Sequence, residues 1–335
     1  MDDWTAPGAY EVAAGVHRVP LPLPNDGLRA VNVYVLHTPD GLVLVDGGWA
    51  LAESRQLLAT TLHDLGADLA DIRRFLVTHV HRDHYSQASA LRQEVGSRVC
   101  LGAGEQPSLK LLQRPGREHL TSQLALLRLL GAAEVAAVIA TYASLSTVDR
   151  SLWEDPDEWL EAGPLTLPGG RTLDVVPTPG HTAGHVVFHD LRAGLLFAGD
   201  HVLPTITPSI GFEPVLTPDP LGAFLRSLAL VRSRPDAMLL PAHGPVATSA
   251  HARVDELVAH HAARLDQALA AVQAGAETGL EAAGRLLWTR RERRLSELDP
   301  FNTMLAVAET GAHLDLLVAQ ARLTVTIEDG VRRYR

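Results

Sequence analysis

The stretch Arg74-Phe75-Leu76-Val77-Thr78-His79-Val80-His81-Arg82-Asp83-His84 decides the fold. Its first five residues read as a short buried strand, which runs directly into four ligand-type side chains within six residues. The motif is therefore expected in the loop at the strand's C-terminal end. His79 and His81 are two apart, so an extended segment puts them on one face, where they can bind one ion. Asp83 and His84 follow after the chain turns and can reach a second ion. One surface His-x-His is usually solvated and idle. The density of this cluster, its place at a strand end and the segments downstream favour a metal site.

Three later segments repeat the arrangement. Thr178-Pro179-Gly180-His181-Thr182-Ala183-Gly184-His185, Phe197-Ala198-Gly199-Asp200 and Pro241-Ala242-His243-Gly244 each set polar residues beside a short apolar strand. Strands of one sheet bring their C-terminal ends to a common rim, so these residues can converge. Asp200 is placed to bridge two ions. Imidazoles and carboxylates without cysteine suit zinc, iron or manganese. The expected cofactor is two divalent ions, zinc first. A pair about 3.5–4 Å apart can hold a hydroxide and stabilise a developing oxyanion without any side-chain nucleophile. His185 opens an apolar strand; support for the ligands, a substrate contact and a structural hydrogen bond all remain open for it. Asp46 ends the run Leu42-Val43-Leu44-Val45 beside Gly47-Gly48 and reads as an acid supporting a ligand ahead of a turn residue. His189, His201, His251, His260 and His261 read as structural or surface residues.

Working outward, residues 16–23 read as an edge strand, because their prolines exclude a central position. Residues 31–48 read as a hairpin around Pro39-Asp40-Gly41. Helical spacing covers 49–65 and 85–95, with a strand at 98–101 between the latter and a change of pattern. From about 103 to 162 leucine and alanine dominate, which predicts two or three helices inserted into a β-rich core. That segment suits an apolar wall over the site or a contact between two copies of the chain. Strands return at 171–177, 185–189 and 194–198. Five prolines make 204–220 an irregular loop. A helix at 219–233 and a strand at 238–241 follow. Residues 251–335 read as a separate unit with helices near 252–273, 279–288 and 302–320. Leu323-Thr324-Val325-Thr326-Ile327-Glu328, Asp329-Gly330 and the basic end form a hairpin signal.

Composition narrows the class. The chain has 335 residues, 46% of them hydrophobic and 20% charged, which suits a globular protein of more than one unit. The first fifteen residues carry three acids and lack a leader's apolar core. A single cysteine, Cys100, rules out an internal disulfide. The expected setting is the cytosol, with no membrane contact. A net charge of −10 excludes a uniformly basic nucleic-acid surface. Lys110 is the only lysine, and this bias with abundant alanine suggests a GC-rich bacterial genome.

In their order, HxHxDH, PGHTxGH, a strand ending in Gly-Asp and PxHG resemble the metallo-β-lactamase superfamily over residues 15–250. The resemblance implies an α/β fold, the four-layer αβ/βα sandwich, with the site at its top edge. It also implies ligand sets. His79, His81 and His181 would hold the first metal. Asp83, His84 and His243 would hold the second, and Asp200 would bridge. Asp83 or Asp200 would orient the attacking hydroxide and relay its proton. Antibiotic-hydrolysing members commonly have cysteine where Asp200 stands. Flavodiiron proteins have glutamate where His81 stands. The ribonuclease Z and β-CASP nucleases carry extra domains or arms not found in this sequence. The pattern is most similar to glyoxalase II and its relatives. Residues 251–335 are similar to the winged-helix tail of lactamase-β-2-like proteins, some of which are endoribonucleases. Those residues carry 11 arginines against 12 acids, which disfavours an RNA-binding role despite the clusters at 289–294 and 331–335.

The expected domains are a catalytic domain at 1–250, with the helical insertion, and a winged-helix-like domain at 251–335. The expected activity is binuclear hydrolysis of a small or medium substrate, thioester first, then lactone or ester, through a metal-bridging hydroxide. The alternatives are an endoribonuclease and a non-catalytic metal-dependent ligand sensor. A small molecule is the expected partner, and a homodimer is an open arrangement.

Overall fold

The computed structural model describes residues 3–24, 27–114, 120–144 and 149–335. In chain order the strands and helices are Tyr10–Ala13 (β1), Val16–Pro22 (β2), Ala30–Thr38 (β3), Gly41–Val45 (β4), Ala52–Asp64 (α1), Ile72–Val77 (β5), Arg82–Val95 (α2), Arg98–Gly102 (β6), Gln106–Gln113 (α3), Thr121–Leu129 (α4), Ala133–Ser144 (α5), Glu158–Leu160 (β7), Gly163–Thr166 (β8), Thr172–Pro177 (β9), Val186–Asp190 (β10), Leu195–Gly199 (β11), Pro220–Ser233 (α6), Met238–Pro241 (β12), Ala250–Gln273 (α7), Gly279–Arg285 (α8), Pro300–Ala319 (α9), Val325–Glu328 (β13) and Val331–Tyr334 (β14).

β1 to β7 form one sheet in sequence order, antiparallel up to β4 and parallel beyond it. A second sheet has the order β12-β11-β10-β9-β8, in which β11 and β12 are parallel. The central strands, such as β10 and β11, are buried on both faces, and their period of two sorts each residue to a layer. In β11, Leu195 and Phe197 join the core between the sheets, with Tyr34, Val43, Leu76 and Leu240. Leu196 and Ala198 face the other way, into a core shared with α6 and α7. Across the first sheet, Val31, Val33 and Val35 pack outward with Leu58 and Leu62 of α1 and Leu91 of α2. Helices, sheet, sheet and helices make the four-layer sandwich.

Several expectations change in detail. β2 is an interior strand, paired with both β1 and β3. β1 covers only Val16–Arg18, so Pro20 and Pro22 lie where β2 has an open side, and proline's missing N–H is tolerated there. The helix expected from 85 begins at Arg82. His79 and His81 therefore precede α2, while Asp83 and His84 stand in its first turn. Strands β1, β7 and β8 carry no clear alternation and were not anticipated. The expected helical segment at 103–162 contains α3, α4 and α5; its residues 115–119 and 145–148 lie outside the described residues. Leu124, Leu127 and Ile139 of this segment are buried in the same core as Met304, Val307 and Leu317 of α9. The final hairpin forms as expected, with Asp329 and Gly330 both at positive φ, 51° and 77°.

The end of β6 presses on the PGHTxGH loop. A Cβ on Gly184 would stand 2.0 Å from the backbone N of Glu105 and 2.2 Å from the carbonyl carbon of Gly104. Backbone cannot swing away as a side chain can. Gly184→Ala should therefore lower stability by about 3 kcal/mol or more. A thermal melt matching the wild type would contradict this packing.

Candidate metal centre

The two sheets deliver the ligands to one rim. β5 ends at Val77 and leads into His79 and His81, β11 leads into Asp200, and β12 leads into His243. The rim is tied across the sandwich. Asn32 Nδ2 of β3 donates to the carbonyls of Pro241 and Gly244, 2.9 Å each, and the Tyr34 hydroxyl donates to Pro241 O at 2.8 Å. The Val186 N–H donates to Thr78 O at 2.9 Å. These bonds fix the turn that carries His243 and the strand end that carries His79.

Two groups of donors result. One nitrogen from each of His79, His81 and His181 and one oxygen of Asp200 lie within 4.8 Å of one another; Asp83, His84 and His243 form a second such group. His81 Nδ1 is 3.0 Å from both His79 Nε2 and His181 Nε2. Asp200 stands between the groups. Its Oδ2 is 3.4 Å from His181 Nε2, while its Oδ1 is 3.3 Å from His243 Nε2 and 3.6 Å from His84 Nε2. Asp83 Oδ2 lies 3.4 Å from His243 Nε2.

The hydrogen bonds on the far side of each ring fix which nitrogen is bare. His181 Nδ1–H donates to Ser209 O and His243 Nδ1–H to Ala30 O, both at 2.8 Å. His81 Nε2–H points to Phe212 O at 3.3 Å. His79 Nδ1 faces the Thr78 hydroxyl at 3.1 Å, and that hydroxyl lies 3.0 Å from Asp46 Oδ1. Burial pushes His79 well down, His81 to about 3, and His181 below the usual imidazole range. Three neutral rings thus aim lone pairs at one point. Such an array is repulsive unless a cation sits among the lone pairs. In the second group His84 Nε2, His243 Nε2 and Asp200 Oδ1 are buried with no hydrogen-bond partner. Buried orphans of this kind need an occupant. The donor set fits two divalent cations of the zinc, iron or manganese type.

Asp46 lies beneath this centre. Its Oδ2 is 2.9 Å from His84 Nδ1, and its Oδ1 accepts the Thr78 N–H at 2.8 Å. Asp46 holds φ at 61°, an uncommon conformation for a non-glycine residue. His185 is fully buried, with Nδ1 2.8 Å from the Thr178 hydroxyl and Nε2 accepting the Asp200 N–H at 3.1 Å. It orients the Asp200 backbone and stacks near His79, with ring centroids 5.0 Å apart.

The sequence reading missed other residues. Glu105 is fully buried and accepts both the Val80 N–H at 3.3 Å and the Thr182 hydroxyl, so one carboxyl links the two histidine-bearing loops. Burial pushes Glu105 up to about 7 and its neighbour Glu213 up to about 8. Glu105 follows the end of β6, so the strand-end rule that found the ligands could have found it. Phe212 lies over His81 at 6.0 Å and packs edge-on to Phe301 of α9 at 5.6 Å, an apolar wall from segments far apart in sequence. Arg82 lies over the Trp49 ring at 3.6 Å.

Burial opposes charge on His84, but Asp46, Asp83 and Asp200 outweigh it and lift the ring to about 9. Below that pH the ring keeps its proton until metal expels it. Metal uptake near pH 7 should release protons, and affinity should weaken as pH falls. Asp46→Asn should weaken the second ion by about 10–100-fold while sparing the first. Metal titrations in buffers of different ionisation enthalpy test both; no proton release and unchanged affinity would contradict the arrangement.

Comparison with known proteins agrees with this geometry. The family model described as the metallo-beta-lactamase superfamily matches residues 26–243. The chain is 24% identical over 317 residues to the probable metallo-hydrolase YqjP of Bacillus subtilis, covering 92% of each. The crystal structure of the metallo-beta-lactamase family protein TTHA1429 from Thermus thermophilus superposes with a TM-score of 0.78 at 27% identity, over 97% of this chain and 99% of that one. Shorter matches include a hydroxyacylglutathione hydrolase from Rhizobium johnstonii, 36% identical over 25% of this chain and 29% of that protein. An atrochrysone carboxyl ACP thioesterase from Aspergillus terreus is 24% identical over 72% of this chain and 55% of that protein.

Proposed function

The chain belongs to the metallo-β-lactamase superfamily, and from that premise we propose that it is a binuclear metallo-hydrolase of small or medium acyl substrates, thioesters first and esters or lactones next. The observation that carries the reading is Asp200, which turns one oxygen to each histidine group. The thioester preference rests on the names of two relatives, a hydroxyacylglutathione hydrolase and an acyl-carrier thioesterase.

His79, His81 and His181 would hold one divalent ion, Asp83, His84 and His243 the other, and Asp200 both. When bound, such ions supply Lewis-acid polarisation of a carbonyl and an activated water; zinc is our first choice. The chain's own residues then have defined tasks. Asp46, Ser209 O, Ala30 O and Phe212 O fix the tautomers of the ligand rings. Asp83 is partly open to solvent while Asp200 is nearly enclosed, so Asp83 is the better placed to pass a proton outward. Phe212 and Phe301 offer an apolar face to an acyl chain. We read residues 251–335 as the winged-helix-like unit that supplies Phe301 to this wall. We also place the protein in the cytosol, on its single cysteine. Among the described residues no helix is long and apolar enough to cross a membrane.

A panel of acyl-thioesters, esters and lactones, with and without chelator, tests the proposal. We expect chelator-sensitive thioester turnover, restored by zinc. His81→Ala should cut it by about a hundredfold or more, because it removes a ligand outright. Fully metal-loaded protein that turns over none of the three classes would overturn it.

A further inference from the structure

A third cluster of donors lies outside the rim. α7 carries His260 and His261 side by side, and α9 carries Glu309 with His313 one turn further on. One nitrogen from each of His260 and His261 and one carboxylate oxygen of Glu309 lie within 4.8 Å of one another. Phe224 separates this cluster from the rim. Its ring packs edge-on both to His201, at 5.1 Å, and to His261, at 5.5 Å.

The protons in the cluster can be placed by donor and acceptor logic. His313 Nδ1 lies 2.8 Å from the carbonyl of Glu309, and a carbonyl only accepts, so Nδ1 carries the hydrogen. In a neutral ring with its hydrogen on Nδ1, Nε2 is bare. That bare nitrogen is 3.2 Å from His261 Nδ1, which must donate to it. His261 Nε2 is then also bare. It is buried and has no hydrogen-bond partner. A backbone carbonyl fixes the tautomer at one end, and a lone pair is left unanswered at the other. The rim histidines His181 and His243 use the same device, each with Nδ1 on a carbonyl and Nε2 turned to the centre.

We propose that His260, His261 and Glu309 form a third divalent-metal site that clasps α7 to α9. Two imidazoles and a carboxylate suit zinc and leave a position for water on the exposed side, at His260. Arg264, one turn from His260, is the unfavourable neighbour. Its guanidinium lies over the Trp288 ring at 4.2 Å and donates to Leu287 O at 3.1 Å, which holds it in place beside the cluster. That fixed positive charge makes this site weaker than the binuclear centre. An ion bound only in the folded state stabilises the helix pair by mass action.

The test is zinc stoichiometry of the full-length protein, depleted of metal, reloaded with zinc, and measured by mass spectrometry alongside a thermal melt. The wild type should bind three equivalents. His260→Ala and Glu309→Gln should each bind two and lose part of the zinc-dependent rise in Tm. The first substitution is exposed and the second nearly isosteric, so both should fold. Asp83→Asn probes the binuclear centre separately and should leave the Glu309-dependent equivalent in place. Wild-type stoichiometry in both His260→Ala and Glu309→Gln would overturn the third site, whatever Asp83→Asn does.

Discussion

Lone pairs crowded where no proton can answer them are the constraint on which this structure depends. His81 Nδ1 lies 3.0 Å from two other imidazole nitrogens, and all three rings are held neutral by burial. The hydrogens that could relieve the contact are committed on the far sides of the rings, to Phe212 O, Ser209 O and the Thr78 hydroxyl. A fold that spends buried volume on such an array is stabilised by positive charge at its centre. Hydrophobic burial sets up the array, and the cation would reconcile it.

The support extends well beyond the ligands. The sandwich core brings the ends of β5, β11 and β12 together, and Asn32 and Tyr34 bind the β12 turn from the opposite sheet. Glu105 links the loop of His79 and His81 to the loop of His181, and Gly184 lets the β6 end approach closely enough for that link. Asp46 and His185 hold His84 and the Asp200 backbone from below. Each of these residues is buried, so each is fixed by packing as well as by its bonds.

Strand-end histidines and aspartates leave a local signal, and the structure gathers the seven side chains expected as ligands into two groups. Most strands and helices were legible from periodicity, including β12 to the residue. What was hidden is non-local. Pro20 and Pro22 argued for an edge strand because nothing in the sequence shows how little of β2 is covered by β1. The start of α2 at Arg82 was obscured by a motif that is polar throughout. His260 and His261 read as structural or surface residues because their relation to Glu309 exists only once α7 and α9 pack. Phe212 and Phe301 face each other across nearly ninety residues of chain, which no local pattern reveals. The leucine-rich segment before β7 offered a wall or a contact between copies; in the structure α4 buries Leu124 and Leu127, and α5 buries Ala136 and Ile139, in the core shared with α9.

The central claim is that two cations share Asp200. Anomalous diffraction from zinc-loaded crystals, collected on both sides of the zinc absorption edge, tests it most directly. The account predicts two peaks at the rim, about 3.5–4 Å apart, one beside each oxygen of Asp200. A single peak there, or none, would contradict it.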